Sequence, residues 1–168
     1  MRQIHKVAVL GAGVMGATIA AHLANAGLEI LLLDIVPKAL DKAEEAKGLT
    51  LESPEVRNRI ARNGLQNLLK MKPAPFYLSD YASQIAVGNL VDDLEKLRTC
   101  DWVVEVVVEY MPIKLDLLQK LVPHLAAGAI LTTNTSGLSV NEMAKVLPIE
   151  VRKNFLVTHF FNPPRYMR

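Results

Sequence analysis

Val7-Ala8-Val9-Leu10-Gly11-Ala12-Gly13-Val14-Met15-Gly16 decides the fold. Four apolar residues read as a buried strand, and the six that follow fit G-x-G-x-x-G. From Met15 to Ala26 the residues favour helix. Gly11 permits the tight turn out of the strand. Gly13 lacks the Cβ that would hold a pyrophosphate away from the backbone, and Gly16 lets helix and strand pack closely. A helix N-terminus offers free N–H groups and partial positive charge to phosphates. Gly11, Ala12, Gly13, Val14, Met15 and Gly16 are therefore expected to bind a dinucleotide. A second strand, Glu29–Leu33, delivers Asp34 at the spacing where a carboxylate accepts hydrogen bonds from an adenosine ribose. That carboxylate would repel a 2′-phosphate, which points to NAD rather than NADP.

Composition narrows the field. A chain of 168 residues, 51% of them hydrophobic, can fill one core, and 5% aromatics make that core mainly aliphatic. Nineteen basic residues against 17 acidic leave a net charge of +2, which supports no nucleic-acid footprint. The single cysteine, Cys100, excludes an internal disulfide and a cysteine-rich metal site; no metal is expected. Cys100 reads as a small core residue entering a strand. A strand close to the N-terminus leaves no room for a signal peptide, and no apolar run approaches a membrane span. The expectation is a soluble, cytoplasmic protein.

Outward from the glycine run, strands and helices alternate. The first strand is about His5–Leu10, and Gly27 stops the first helix. Residues 37–72 are polar and helical, and Pro54 splits them into two helices. Val56, Ile60, Leu65, Leu68 and Leu69 suit one helical face. Lys42, Lys47, Arg57, Arg59 and Arg62 form either a solvated face or a contact for an anionic ligand tail. Residues 73–84 are a connection, Ile85–Leu90 a strand and Asp92–Arg98 a short helix. Trp102–Val108 is an apolar strand broken by Glu105. Pro112 opens a helix to about Leu125, and Ala129–Thr132 is a strand. Ser139 and Glu142 match a capping box for a helix ending near Leu147. Phe155–Thr158 is the last strand.

This order implies an α/β domain of Rossmann type, a doubly wound, mostly parallel sheet with helices on both faces. Ligands of such sheets sit beyond the carboxyl ends of the strands. Gly11, Asp34, Glu109, Asn134, Ser136 and His159 all follow strand ends. Glu109 suits a helix start or a ligand contact, and Lys114 either the surface or the site. Thr132-Thr133-Asn134-Thr135-Ser136-Gly137 is a polar loop whose groups can bind ribose, nicotinamide or a substrate oxygen. His159 can take the proton of an alcohol as its hydride leaves, and Asn162 can orient it or the substrate. His5, His22 and His124 read as structural.

These motifs resemble the NAD-binding domain of the 3-hydroxyacyl-CoA dehydrogenase family. The matching parts are the glycine run, Asp34-Ile35, Val103-Val104-Glu105 through Val108-Glu109, Thr133 to Ser139, and His159-Phe160-Phe161-Asn162-Pro163. The resemblance implies oxidation of (S)-3-hydroxyacyl-CoA to 3-oxoacyl-CoA in fatty-acid β-oxidation. It makes His159 the general base, puts Ser136 and Asn162 against the acyl-CoA substrate, and lays Glu109 and Lys114 along the nicotinamide, with Asn134 also on the cofactor. It further implies a homo-oligomer, with an enoyl-CoA hydratase fused or partnered in some members.

Two departures accompany the resemblance. The segment 49–91 is longer than in short single-function members and suits long bacterial or multifunctional ones. The chain also ends before the glutamate that the family pairs with its histidine and before its helical substrate and dimerisation domain. The expectation is one cofactor domain over 1–168, cut from a larger enzyme and nearly inactive alone. The alternatives are a Rossmann dehydrogenase of another short hydroxy acid, which commonly uses a lysine base, and a non-catalytic dinucleotide-binding module.

Overall fold

Alternate residues of the first strand face opposite cores. In a computed structural model describing residues 3–167, Val7 and Val9 of β1 (Lys6–Leu10) pack with alanines of α1 (Val14–Asn25), while Ala8 and Leu10 pack with leucines of α5 (Met111–Leu121). β2 (Glu29–Asp34) repeats the pattern: Ile30 and Leu32 on one side, Leu31 and Leu33 on the other. A strand apolar on both faces belongs inside a parallel sheet covered by helices. The other strands are β3 (Ile85–Asn89), β4 (Trp102–Glu105), β5 (Ile130–Thr133) and β6 (Phe155–Val157). All pairs are parallel, in the order β3-β2-β1-β4-β5-β6. The expected doubly wound sheet is the one observed. Its order reverses between β1 and β4, and the glycine turn opens there.

The stretch after β2 differs from expectation. Residues 37–72 hold three short helices, not two: α2 (Lys42–Ala46), α3 (Pro54–Arg57) and α4 (Arg59–Leu68). Pro54 occupies the first turn of α3 and so starts a helix where a break was expected. Val56, Ala61, Gly64 and Leu68 are buried, whereas Leu69 is 56% exposed and leaves the expected apolar face. Arg57 pairs with Asp92 and Glu52, and Arg59 with Glu44 and Asp41. Both guanidiniums tie the segment down, so neither is a freely solvated charge.

Later boundaries also move. β4 stops at Glu105 rather than Val108, because the Glu105 carboxylate accepts the N–H of Val107 at 2.8 Å and turns the chain off the sheet. The expected short helix is a 3-10 helix over Leu94–Thr99. α6 (Val140–Lys145) is capped by Ser139, whose hydroxyl accepts the Glu142 N–H, and α7 (Ile149–Arg152) was not foreseen. Cys100 is buried, and burial pushes its thiol up to about 11, the behaviour of an inert core residue. No helix among the described residues is long and apolar enough to cross a membrane.

Candidate functional site

The glycine turn is shaped by what its residues cannot carry. Gly11 has φ +106°, and a Cβ there would lie 2.6 Å from the Val106 carbonyl oxygen. A Cβ on Gly16 would lie 1.7 Å from the Gly11 oxygen, so helix and turn touch backbone to backbone. Gly13 is different: a Cβ there would meet nothing within 4 Å. Its missing side chain leaves space on the ligand side, at the N-cap of a 12-residue helix with neither a side-chain cap nor an acid in its first turn. An anionic group fits that end.

Asp34 ends β2 beside this turn. Its carboxylate accepts the N–H of Ala12 at 2.5 Å and that of Ile35 at 2.7 Å. Asp34 also lines a cavity of about 620 Å³ with Ile35, Val36, Leu90, Val91 and Leu94. That mainly apolar space, whose lining also carries the Asp116–Lys120 ion pair, leaves the Asp34 carboxylate to meet a ligand and suits an adenosine. A second cavity, of about 570 Å³, holds Glu109, Lys114, Asn134, Ser136, His159 and Asn162, together with Val14, Met15 and Gly16. The two cavities share Gly13 and Val106–Val108. Residues more than a hundred positions apart thus reach one continuous groove across the carboxyl edge of the sheet.

Glu109 organises the polar loop. Its Oε1 accepts the Thr135 hydroxyl at 2.5 Å, the Ser136 N–H at 2.9 Å and the Gly137 N–H at 3.2 Å. Burial raises its pKa, but those three donors and the Lys114 charge outweigh burial and bring it down to about 2. Lys114 is not a surface residue; it is 1% exposed. Its ammonium donates to Glu105 at 2.7 Å and to the Val107 carbonyl oxygen at 3.2 Å, and lies 3.3 Å from the Glu109 carboxylate as an ion pair.

His159 is exposed, and its ring meets Phe161 edge-on at 5.1 Å. Among the described residues no hydrogen bond orients it, and none joins it to Asn162. The neighbouring backbone is held instead: the Phe160 N–H donates to Asn134 Oδ1 at 2.8 Å. Behind it the Phe160 ring meets His22 edge-on at 6.2 Å, and the buried Nδ1 of His22 has no partner among the described residues. Burial lowers the His22 pKa. His5 donates its backbone N–H to Asp101, and His124 shares a hydrogen bond with Glu95.

The family model of the 3-hydroxyacyl-CoA dehydrogenase NAD binding domain matches residues 6–168. The chain belongs to this family. It is 52% identical, over 99% of its length, to a Bacillus subtilis protein named as a 3-hydroxyacyl-CoA dehydrogenase, and spans 21% of that protein. It is 42% identical, over 98% of its length, to a Rickettsia felis protein named as a fatty acid oxidation complex trifunctional enzyme, again spanning 21% of it. Among solved structures it resembles the (S)-3-hydroxybutyryl-CoA dehydrogenase of Ralstonia eutropha, with a TM-score of 0.66 at 26% identity, covering 98% of this chain and 52% of that one. The chain thus spans about a fifth of the length of these two curated relatives.

For an NAD-binding domain of 3-hydroxyacyl-CoA dehydrogenases the groove has the right parts: an uncapped helix start, an adenosine-sized cavity beside an acid, and a polar cavity beyond. Sequence reasoning missed one residue of this domain's site. Glu105 is fully buried and accepts from Lys114, from the Thr133 hydroxyl at 2.5 Å and from Val107. A lone acid inside an apolar strand is itself the signal, because a buried carboxylate requires partners.

Proposed function

We propose that this domain serves the NAD-dependent oxidation of (S)-3-hydroxyacyl-CoA to 3-oxoacyl-CoA, within an enzyme whose other parts complete the acyl site. The supporting observation is that His159, Ser136, Asn134 and Glu109 share one cavity with the first turn of α1. Gly11 to Gly16 and Asp34 hold the cofactor, with Glu109, Lys114 and Asn134 along its nicotinamide end. Bound NAD supplies the hydride acceptor. His159 takes the hydroxyl proton on a ring nitrogen, since an imidazole can exchange a proton near neutral pH. Ser136 and Asn162 hold the substrate oxygen. Glu109, ionised at neutral pH, keeps the Thr135–Gly137 backbone in place. NAD is preferred over NADP because Asp34 repels a 2′-phosphate.

The reading extends to a fatty-acid β-oxidation setting in the cytoplasm, a homo-oligomeric enzyme and an enoyl-CoA hydratase in the same chain or as a partner. The trifunctional name of the Rickettsia relative supports such a combination. Acetoacetyl-CoA-dependent oxidation of NADH by the intact protein tests the core of it. His159→Ala is expected to cut turnover by about 10²–10⁴-fold while NADH still binds. Unchanged turnover would remove His159 as the base, and absence of turnover in the wild type would remove the substrate.

A further inference from the structure

Two carboxylates and one ammonium meet at the wall of the cavity that contains His159. Lys114 Nζ lies between Glu105 Oε1 and Glu109 Oε2. Glu105 and Lys114 are 0% and 1% exposed, so neither exchanges its partner for water. Glu105 is also fixed by the Thr133 hydroxyl and the Val107 N–H. The three side chains together carry one net negative charge. Neutralising Glu105 removes that charge, whereas neutralising Lys114 doubles it.

A secondary alcohol loses its O–H proton and its C–H hydride from adjacent atoms. The group that receives the hydride must therefore approach the same carbon that His159 serves, and His159, Glu109 and Lys114 line one cavity. A nicotinamide ring is cationic when oxidised and neutral when reduced. A fixed negative charge beside it stabilises only the oxidised form, and more strongly where water is excluded.

We propose that the charge of Glu105 shifts the balance of this site toward oxidised cofactor. It is a positioning residue: it fixes Lys114 between two carboxylates and leaves the cluster with one net negative charge. The inference rests on the reading of this cavity as the nicotinamide site. A purely structural Glu105 would affect both redox forms of the cofactor alike; a charge-setting Glu105 separates them.

The test is titration of NAD and of NADH against the intact protein, taking the ratio of their dissociation constants. Glu105→Gln leaves the cluster neutral and is expected to weaken NAD relative to NADH by on the order of tenfold. Lys114→Met moves the ratio in the opposite direction. Glu105→Gln with Lys114→Met returns the net charge to minus one and the ratio to near wild type, although both affinities fall. Thr133→Val removes a hydrogen bond from Glu105 without altering charge and leaves the ratio unchanged. The comparison of Lys114→Met with the double variant reads the Glu105 charge a second time, should Glu105→Gln alone not fold. Equal losses for NAD and NADH across the set, with both bound by the wild type, overturn this proposal alone. A wild type that binds neither overturns the reading of the cavity and this proposal with it.

Discussion

The backbone N–H of Ala12 donates to the carboxylate of Asp34 at 2.5 Å, which ties the glycine turn to the end of β2. One carboxylate thus orders the turn and also faces the cavity proposed for adenosine. Asp34→Ala is expected to weaken NADH by about 1–3 kcal/mol and to weaken NADPH less, so that discrimination between them shrinks. Fluorescence titration of both cofactors measures this. A wild type without preference, or a variant that keeps it, would contradict the role.

The three glycines of the turn separate stability from binding. Gly13→Ala meets open space and is expected to cost less than about 1 kcal/mol of stability, an N-cap effect, while weakening NADH. Gly16→Ala drives a methyl into the Gly11 carbonyl and is expected to lower stability by more than about 3 kcal/mol, beyond ordinary overpacking. Thermal melts with and without NADH distinguish the two. Equal melting points would show that the turn relaxes.

Glu109 predicts an acid limb. Its carboxyl falls from the ordinary 4.5 to about 2 on folding. Below 4.5 the unfolded chain binds a proton that the folded chain refuses, so stability is full above that pH and declines as pH falls toward about 2. The side chain is 41% exposed, which screens the effect. Asp92, held near 2 by Arg57 and Asn89, adds a decline that begins lower, from its ordinary 3.8. Urea unfolding from pH 6 to 2 is expected to show a shallower decline for Glu109→Gln, with the Asp92 part remaining. An unaltered decline would refute the assignment.

Asn89 is expected to matter for a cavity it does not line. It is 1% exposed, donates to Asn58 and Asp92, and accepts the N–H groups of Val91 and Asp92. Leu90 and Val91, next to it, form a wall of the cavity proposed for adenosine. Asn89→Ala leaves those groups without their partner and is expected to cost about 1–3 kcal/mol of stability, with weaker binding of adenosine-containing ligands. AMP titration reads the second effect; loss of stability with unchanged AMP binding would confine Asn89 to the fold.

The strand, turn and helix over residues 6–25 are legible in the sequence because every requirement is local: apolar runs, glycine spacing and a helix start. The cap motifs show where local reading ends. Ser139 with Glu142 and Asp41 with Glu44 have the same spacing. Only Asp41 and Glu44 close both hydrogen bonds. Glu142 is engaged by Lys145 one turn on. The letters do not show which competitor takes the carboxylate. Glu105 is obscure for a related reason: Lys114 and Thr133, its partners, stand 9 and 28 residues away. A window along the strand shows only an acid interrupting valines. The rim residues fare better, since strand ends place them whatever their side-chain partners.

Gly64 of α4 touches the turn from behind: a Cβ there would lie 2.5 Å from the Ala12 carbonyl oxygen. Ala12 is therefore held between Asp34 on one side and a helix some fifty positions later on the other. For protein engineering, the glycine run is not an interchangeable cassette. A turn transplanted from a different dinucleotide-binding domain to change coenzyme would arrive without the backing surface it was packed against. A residue larger than glycine at position 64 would push the transplant out of register. Coenzyme redesign in this scaffold has to carry the turn, Asp34 and the glycine face of α4 as a single unit.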